Sequence, residues 1–90
     1  IASVLQTNQT PFAWAATENA WTRPPKTTLR IYELLVRDFV GTRNYKTLTD
    51  SIGYFKRLGI NAIQLMPIME FENNESWGYN PSYFFAPDKY

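Results

Sequence analysis

LRIYELLVRDFVGTRNYKTLTDSIGYFKRLGINAIQLMP, residues 29–67, decides the fold, because its apolar period changes twice. Residues 29–36 (LRIYELLV) form a largely apolar run with Ile31, Tyr32 and Val36. Its length and flanks predict a buried strand rather than a helix. Val40 and Gly41 end the run, and GTRN makes a loop. Over residues 47–58 the period lengthens: Leu48, Ile52, Phe55 and Leu58 fall at i, i+4, i+7 and i+10, one stripe of an α-helix. Thr47 and Asp50 make a start like a capping box, with Asp where Glu is usual. Gly59 stands where a helix end favours a left-handed residue. Gly53, inside the helix, costs about 1 kcal/mol relative to Ala, so it is expected to mark close packing. Residues 61–66 (NAIQLM) read as a second strand, stopped by Pro67. Strand, helix, strand, with a crossover of this length, is a parallel β-α-β unit.

Downstream of Pro67 no period is sustained. Residues 68–90 carry Trp77, Gly78, Tyr79, Asn80, Pro81, Tyr83, Phe84, Phe85, Pro87 and Tyr90. A connection longer than about 15 residues is uncommon unless it is functional or disordered. Disordered segments are poor in aromatics, so function is favoured. In parallel α/β architectures sites gather at the carboxyl ends of the strands, and this loop leaves from such an end. Its rings suit a ligand with an apolar face and a polar edge, and a sugar is one. The plainer reading, that the rings only pack the loop onto the rim, stays open on pattern alone.

Upstream, Pro24 and Pro25 fix an extended connection and place a boundary near residues 22–28. Residues 2–6 (ASVLQ) read as a short strand, and TNQTP (7–11) as turn chemistry. Residues 12–22, with Phe12, Trp14 and Trp21, read as one or two strands or irregular chain. This segment is too short to bury its own aromatics. Both ends of the sequence look cut.

Composition excludes several classes. The chain has 90 residues, 17% of them aromatic, and a net charge of +1 with no run of like charge. Neither a nucleic-acid footprint nor a polybasic membrane patch is indicated. Without Cys or His there is no disulfide framework, thiolate site, Ser-His-Asp triad or His-bound zinc. No apolar run approaches the roughly 20 residues that span a bilayer, and the start lacks the layout of a signal peptide. A soluble chain of undetermined compartment is expected.

The carboxylates do not form an obvious pair. Glu33 lies within the first strand, where an ionised group needs a partner; a salt bridge to an Arg from elsewhere is preferred over a role in a site. Asp38, next to Arg37, reads as a local ion pair or turn cap. Glu70, Glu72 and Glu75 read as solvated loop charge, since no calcium-ligand spacing is present. Glycoside hydrolysis usually needs two carboxylates flanking the bond, and spacing assigns no such pair here.

Three blocks then carry a resemblance: IYELLVRDF, NYKTLTDSIGYFKRLGINAIQLMPIMEF and SWGYNPSYFFAPDKY. Together, in this order, over residues 29–90, they resemble the start of the catalytic domain of glycoside hydrolase family 13, the α-amylase family. The resemblance implies the first β-α-β unit of a TIM (β/α)₈ barrel plus its long loop after the second strand. It implies that Tyr79 stacks on a sugar ring, with Asn80, Trp77 and Tyr83 as neighbours. It implies an α-glucan partner and a retaining mechanism. The family's catalytic carboxylates and most of its calcium ligands match no position here, so no catalytic or metal-binding residue is expected within the chain, which by itself is expected to be inactive. Residues 1–28 resemble the end of a β-sandwich domain that precedes the barrel in branching and debranching relatives. The alternatives are a non-catalytic glucan-binding or structural piece, and an unrelated α/β barrel that reuses the unit. Unpaired strand edges invite self-association.

Overall fold

The computed structural model describes Leu5 and residues 7–90. The strand expected over residues 2–6 lies, apart from Leu5, outside the described residues. β1 (Ile31–Leu34) and β2 (Ala62–Leu65) pair in parallel, with Ile31 opposite Ala62 and Leu34 opposite Leu65. The expected β-α-β unit is therefore present, in an α/β chain whose described residues form one two-stranded sheet. Asn61 sets the register at the start: its side chain accepts from Arg30 N at 2.7 Å and donates to Thr28 O at 3.0 Å.

Between the strands lie α1 (Val36–Phe39), α2 (Tyr45–Asp50) and α3 (Ile52–Arg57). The first strand is shorter than the apolar run, because the chain turns into α1 directly after Leu35. The helix expected over 47–58 starts earlier and is interrupted at Ser51. Asn44 is its N-cap, accepting from Thr47 N at 2.8 Å and from the Thr47 hydroxyl at 3.0 Å. The Thr47–Asp50 box is thus replaced: Thr47 is the capped residue, and Asp50 pairs with Lys46 instead. The interruption follows from side chains that bond back to the helix. The hydroxyls of Thr49 and Ser51 donate to Tyr45 O and Thr47 O, the carbonyls four residues before them, which bends helices. Gly59 has the expected left-handed φ of 77°. Gly53 does not mark close packing, since an added Cβ would meet only the tip of Arg57, at 3.6 Å.

The helical face closes on β1 through aromatics. Phe55 is 2% exposed; its ring lies 5.0 Å from Tyr32 and stacks at 5.3 Å on Phe39. The rest of the helical stripe is less covered, with Ile52 and Leu58 exposed.

Before β1, residues 12–22 form a 3-10 turn over Ala16–Ala20 and no strand, and Phe12, Trp14 and Trp21 are exposed. After β2 the chain is more ordered than its lack of period implies. Met69 and Phe71 make antiparallel bridges to Pro87 and Pro81. Glu70 N donates to Ala86 O at 2.7 Å and Ser82 N to Glu70 O at 2.8 Å. Phe71, 2% exposed, is the loop's own core. Among the described residues no helix is long and apolar enough to cross a membrane.

Candidate functional site

The two strands end side by side, with Met66 N donating to Leu34 O at 2.8 Å, and the aromatic loop folds back over these ends. Gly78 makes that approach. Its φ is +88°, and a Cβ there would lie 2.7 Å from the Pro67 carbonyl oxygen and 3.5 Å from the Phe71 ring. Only a residue without a side chain fits both the backbone angle and the gap. The residues on either side, Trp77 and Tyr79, are thereby carried to the carboxyl ends of the strands.

Arg37 clasps the same loop. Its Nη1 donates to Asn74 O at 2.6 Å, to Ser76 O at 2.9 Å and to Asn74 Oδ1 at 3.2 Å. Its Nε and Nη2 grip the Asp38 carboxylate at 2.7 and 2.9 Å. The planar fork of Arg serves both partners at once, which a Lys cannot do. Asp38 is therefore the local ion-pair partner expected of it, and Arg37 holds its carboxyl below the usual range, chiefly through these hydrogen bonds. The sequence reading assigned Arg37 no role towards the loop. In the sequence it is a cation one residue past the apolar run 29–36, with nothing to point to carbonyls some 40 residues away.

Trp77 and Tyr79 are 64% and 60% exposed. With Asn80, Ser76 and Glu75 they line a shallow recess of about 420 Å³. Trp77 also borders a larger open groove of about 670 Å³, which reaches Glu33, Asp38 and Met66. Three of the four expected site residues thus meet at one recess, and Tyr83 lies outside it. Asn80 is exposed and its Oδ1 accepts from the Ser76 hydroxyl, which in turn accepts from Gly78 N at 3.0 Å. The Tyr79 hydroxyl donates to Glu33 Oε1 at 2.8 Å, and this carboxylate, with the desolvation around the phenol, holds the phenol above the usual tyrosine range.

Two carboxylates have partners the sequence did not name. Glu33 has no Arg partner among the described residues. It is exposed and accepts from Tyr79 and, at 3.4 Å, from Gln64 of β2. Glu70 is not solvated loop charge: its side chain is largely covered and paired with Lys89, whose backbone N also donates to it at 3.1 Å. Lys89 keeps the Glu70 carboxyl below its usual range. No group of three or more acidic, His or Cys side chains gathers among the described residues. Two of the loop's oxygen donors are taken by the chain's own cations, Glu70 by Lys89 and Asn74 by Arg37.

In parallel α/β folds, sites open at the face where the strands end, and the exposed aromatic loop lies on that face. The chain is homologous to enzymes of glycoside hydrolase family 13, the α-amylase family. It is 38% identical over 56 residues, 62% of this chain and 9% of the relative, to malto-oligosyltrehalose trehalohydrolase of Deinococcus radiodurans. It is 39% identical over 82 residues, 82% of this chain and 11% of the relative, to the 1,4-alpha-glucan branching enzyme GlgB of Saccharophagus degradans. It is 29% identical over 103 residues, 89% of this chain and 13% of the relative, to isoamylase 3 of Oryza sativa subsp. japonica. The chain spans about a tenth of the length of the curated relatives it matches. No family model matches it.

Proposed function

We propose that this chain supplies the first β-α-β unit of a (β/α)₈ barrel in an enzyme that hydrolyses or transfers α-glucosidic bonds by a retaining mechanism. Its own contribution is a sugar platform made by Tyr79, with Trp77 and Asn80 beside it and Tyr83 further along the loop. The observation that carries this is the Tyr79 ring: it stands exposed over the strand ends, in a recess with Trp77, yet is tied by its hydroxyl to β1. Phe71, by contrast, packs the loop from within. The homology to 1,4-alpha-glucan branching enzymes supports an α-glucan as the ligand class.

The acid and nucleophile of that mechanism lie outside these 90 residues. The purified 90-residue chain therefore has no glycosidase activity, and starch hydrolysis by it would overturn that assignment. In a full-length protein carrying this chain, Tyr79→Ala removes an apolar face the size of a sugar ring. It lowers kcat/KM on a linear α-glucan by roughly tenfold to a hundredfold. An unchanged kcat/KM would remove the platform from the reading.

Two smaller proposals accompany this one. Residues 1–28 belong to a separate β-rich unit, which their exposed Phe12, Trp14 and Trp21 support; limited proteolysis then cuts first between residues 22 and 28. The isolated chain also self-associates through its strand edges, and a sedimentation coefficient independent of concentration would count against that.

A further inference from the structure

We propose that Glu33 is a positioning residue: from β1, its carboxylate fixes the orientation of the Tyr79 ring and so the angle of the sugar platform. This deepens the reading above and rests on it. Strand alternation puts Tyr32 and Leu34 on one face of β1, where Tyr32 meets Phe55, and Glu33 on the other. From that second face Glu33 Oε1 accepts the Tyr79 hydroxyl at 2.8 Å and Gln64 Nε2 at 3.4 Å. Gln64 is the register partner of Glu33, so the carboxylate is itself steadied by the sheet.

The loop backbone is already held by Arg37 and by the seat of Gly78 on Pro67. What that leaves free is rotation of the Tyr79 side chain about its own bonds. Packing does not stop it, because the ring is mostly exposed. A hydrogen bond from a phenol to a carboxylate does, and it is stronger than one between neutral groups. The bond is made at the tip of the ring, so both faces stay available to a ligand. A platform anchored by its edge has its rotamer entropy removed before the sugar arrives.

The test is a double-mutant cycle in a full-length protein carrying this chain, with maltoheptaose affinity as the readout and thermal midpoints as a check on folding. Glu33→Ala and Tyr79→Phe each weaken affinity by roughly threefold to tenfold, and the double variant is no weaker than either. Glu33→Gln, which keeps a carbonyl acceptor, recovers most of the loss. If the two losses multiply, or if Tyr79→Phe binds as the wild type does, the proposal fails. Should Glu33→Ala not fold, Tyr79→Phe and Glu33→Gln decide it: loss by the first with retention by the second supports it, and the reverse overturns it. Tyr79→Ala separates the two levels of inference. If it has no effect, the sugar platform itself is wrong; if it weakens binding while the cycle shows no coupling, only the role of Glu33 falls.

Discussion

Gly78→Ala puts the largest strain at the smallest change. Gly78 has φ +88°, where an L-residue costs about 1–2 kcal/mol. The added Cβ would also lie 2.7 Å from the Pro67 carbonyl oxygen. That atom is backbone at the end of β2, so it cannot swing aside as a side-chain tip would. Overpacking of this kind costs about 1–3 kcal/mol, so the substitution carries about 2–5 kcal/mol in all. The bonds that hold this stretch are of similar size: Arg37 to two carbonyls, and Gly78 N to the Ser76 hydroxyl, at about 0.5–3 kcal/mol each. The loop should therefore lift from the strand ends before the β-α-β unit unfolds. In hydrogen exchange, amides 76–80 open at least about 30-fold more readily, the lower bound at 1.4 kcal/mol per factor of ten. Gly53→Ala is the control. Its Cβ meets only the end of Arg57 within α3, and the protein gains up to about 1 kcal/mol. A Gly78→Ala protein with wild-type exchange at 76–80 and a wild-type thermal midpoint would refute the crossing of the loop over Pro67.

Other perturbations have defined outcomes. Arg37→Lys keeps the charge but loses the fork; protection of residues 74–76 against exchange falls by about 1–3 kcal/mol, while amides of β1 are unaffected. Asn44→Ala removes the cap of α2 and lowers stability in urea by about 1 kcal/mol. Phe55→Ala empties the contact between α3, α1 and β1 and costs about 3–5 kcal/mol, enough to unfold the β-α-β unit of so small a chain. Lys89→Met tests the loop at acid pH. Because Glu70 ionises below its usual range in the folded chain, its stabilisation is complete above the unfolded carboxyl's pKa of about 4.3 and is lost as pH falls through the lower folded value. Wild type should therefore exceed Lys89→Met in urea midpoint at pH 6, and the gap should narrow as the pH falls below about 4.3.

Residues 29–67 were the most legible part of the chain because strand and helix meet at one buried contact that both patterns record. Tyr32 of β1 packs against Phe55 of the helical stripe, and Leu34, on the same face of the strand, is buried as well. The break at Ser51 was not legible, because it arises from hydroxyls bonding to local carbonyls and leaves the spacing of Leu48, Ile52 and Phe55 intact. Nor was the order in residues 68–88. Its pairing runs through Met69, Phe71, Pro81 and Pro87, too few and too irregular to give a period of two. The aromatic positions of the site could be listed from the sequence, but not their anchors. Glu33, Arg37 and Glu70 all have partners that are distant in the chain, and a carboxylate or guanidinium carries no mark of what it will meet.

The loop's division of labour argues for a binding surface over a packing element. Its buried places go to Phe71 and to Gly78, whose lack of a side chain lets the backbone sit down on Pro67. Its large rings, Trp77 and Tyr79, are left outside. Exposed apolar rings gain nothing for folding, and ordering them costs rotamer entropy. Yet polar groups from the stretch 33–38 hold this segment in place: Glu33 takes the Tyr79 hydroxyl, and Arg37 takes the carbonyls of Asn74 and Ser76. Those eight residues from Ile31 to Asp38 thus close the helical core with one face and aim the loop with the rest. A chain that only had to fold would leave such rings free or bury them, and ordering them in the open makes physical sense when something flat is to lie against them.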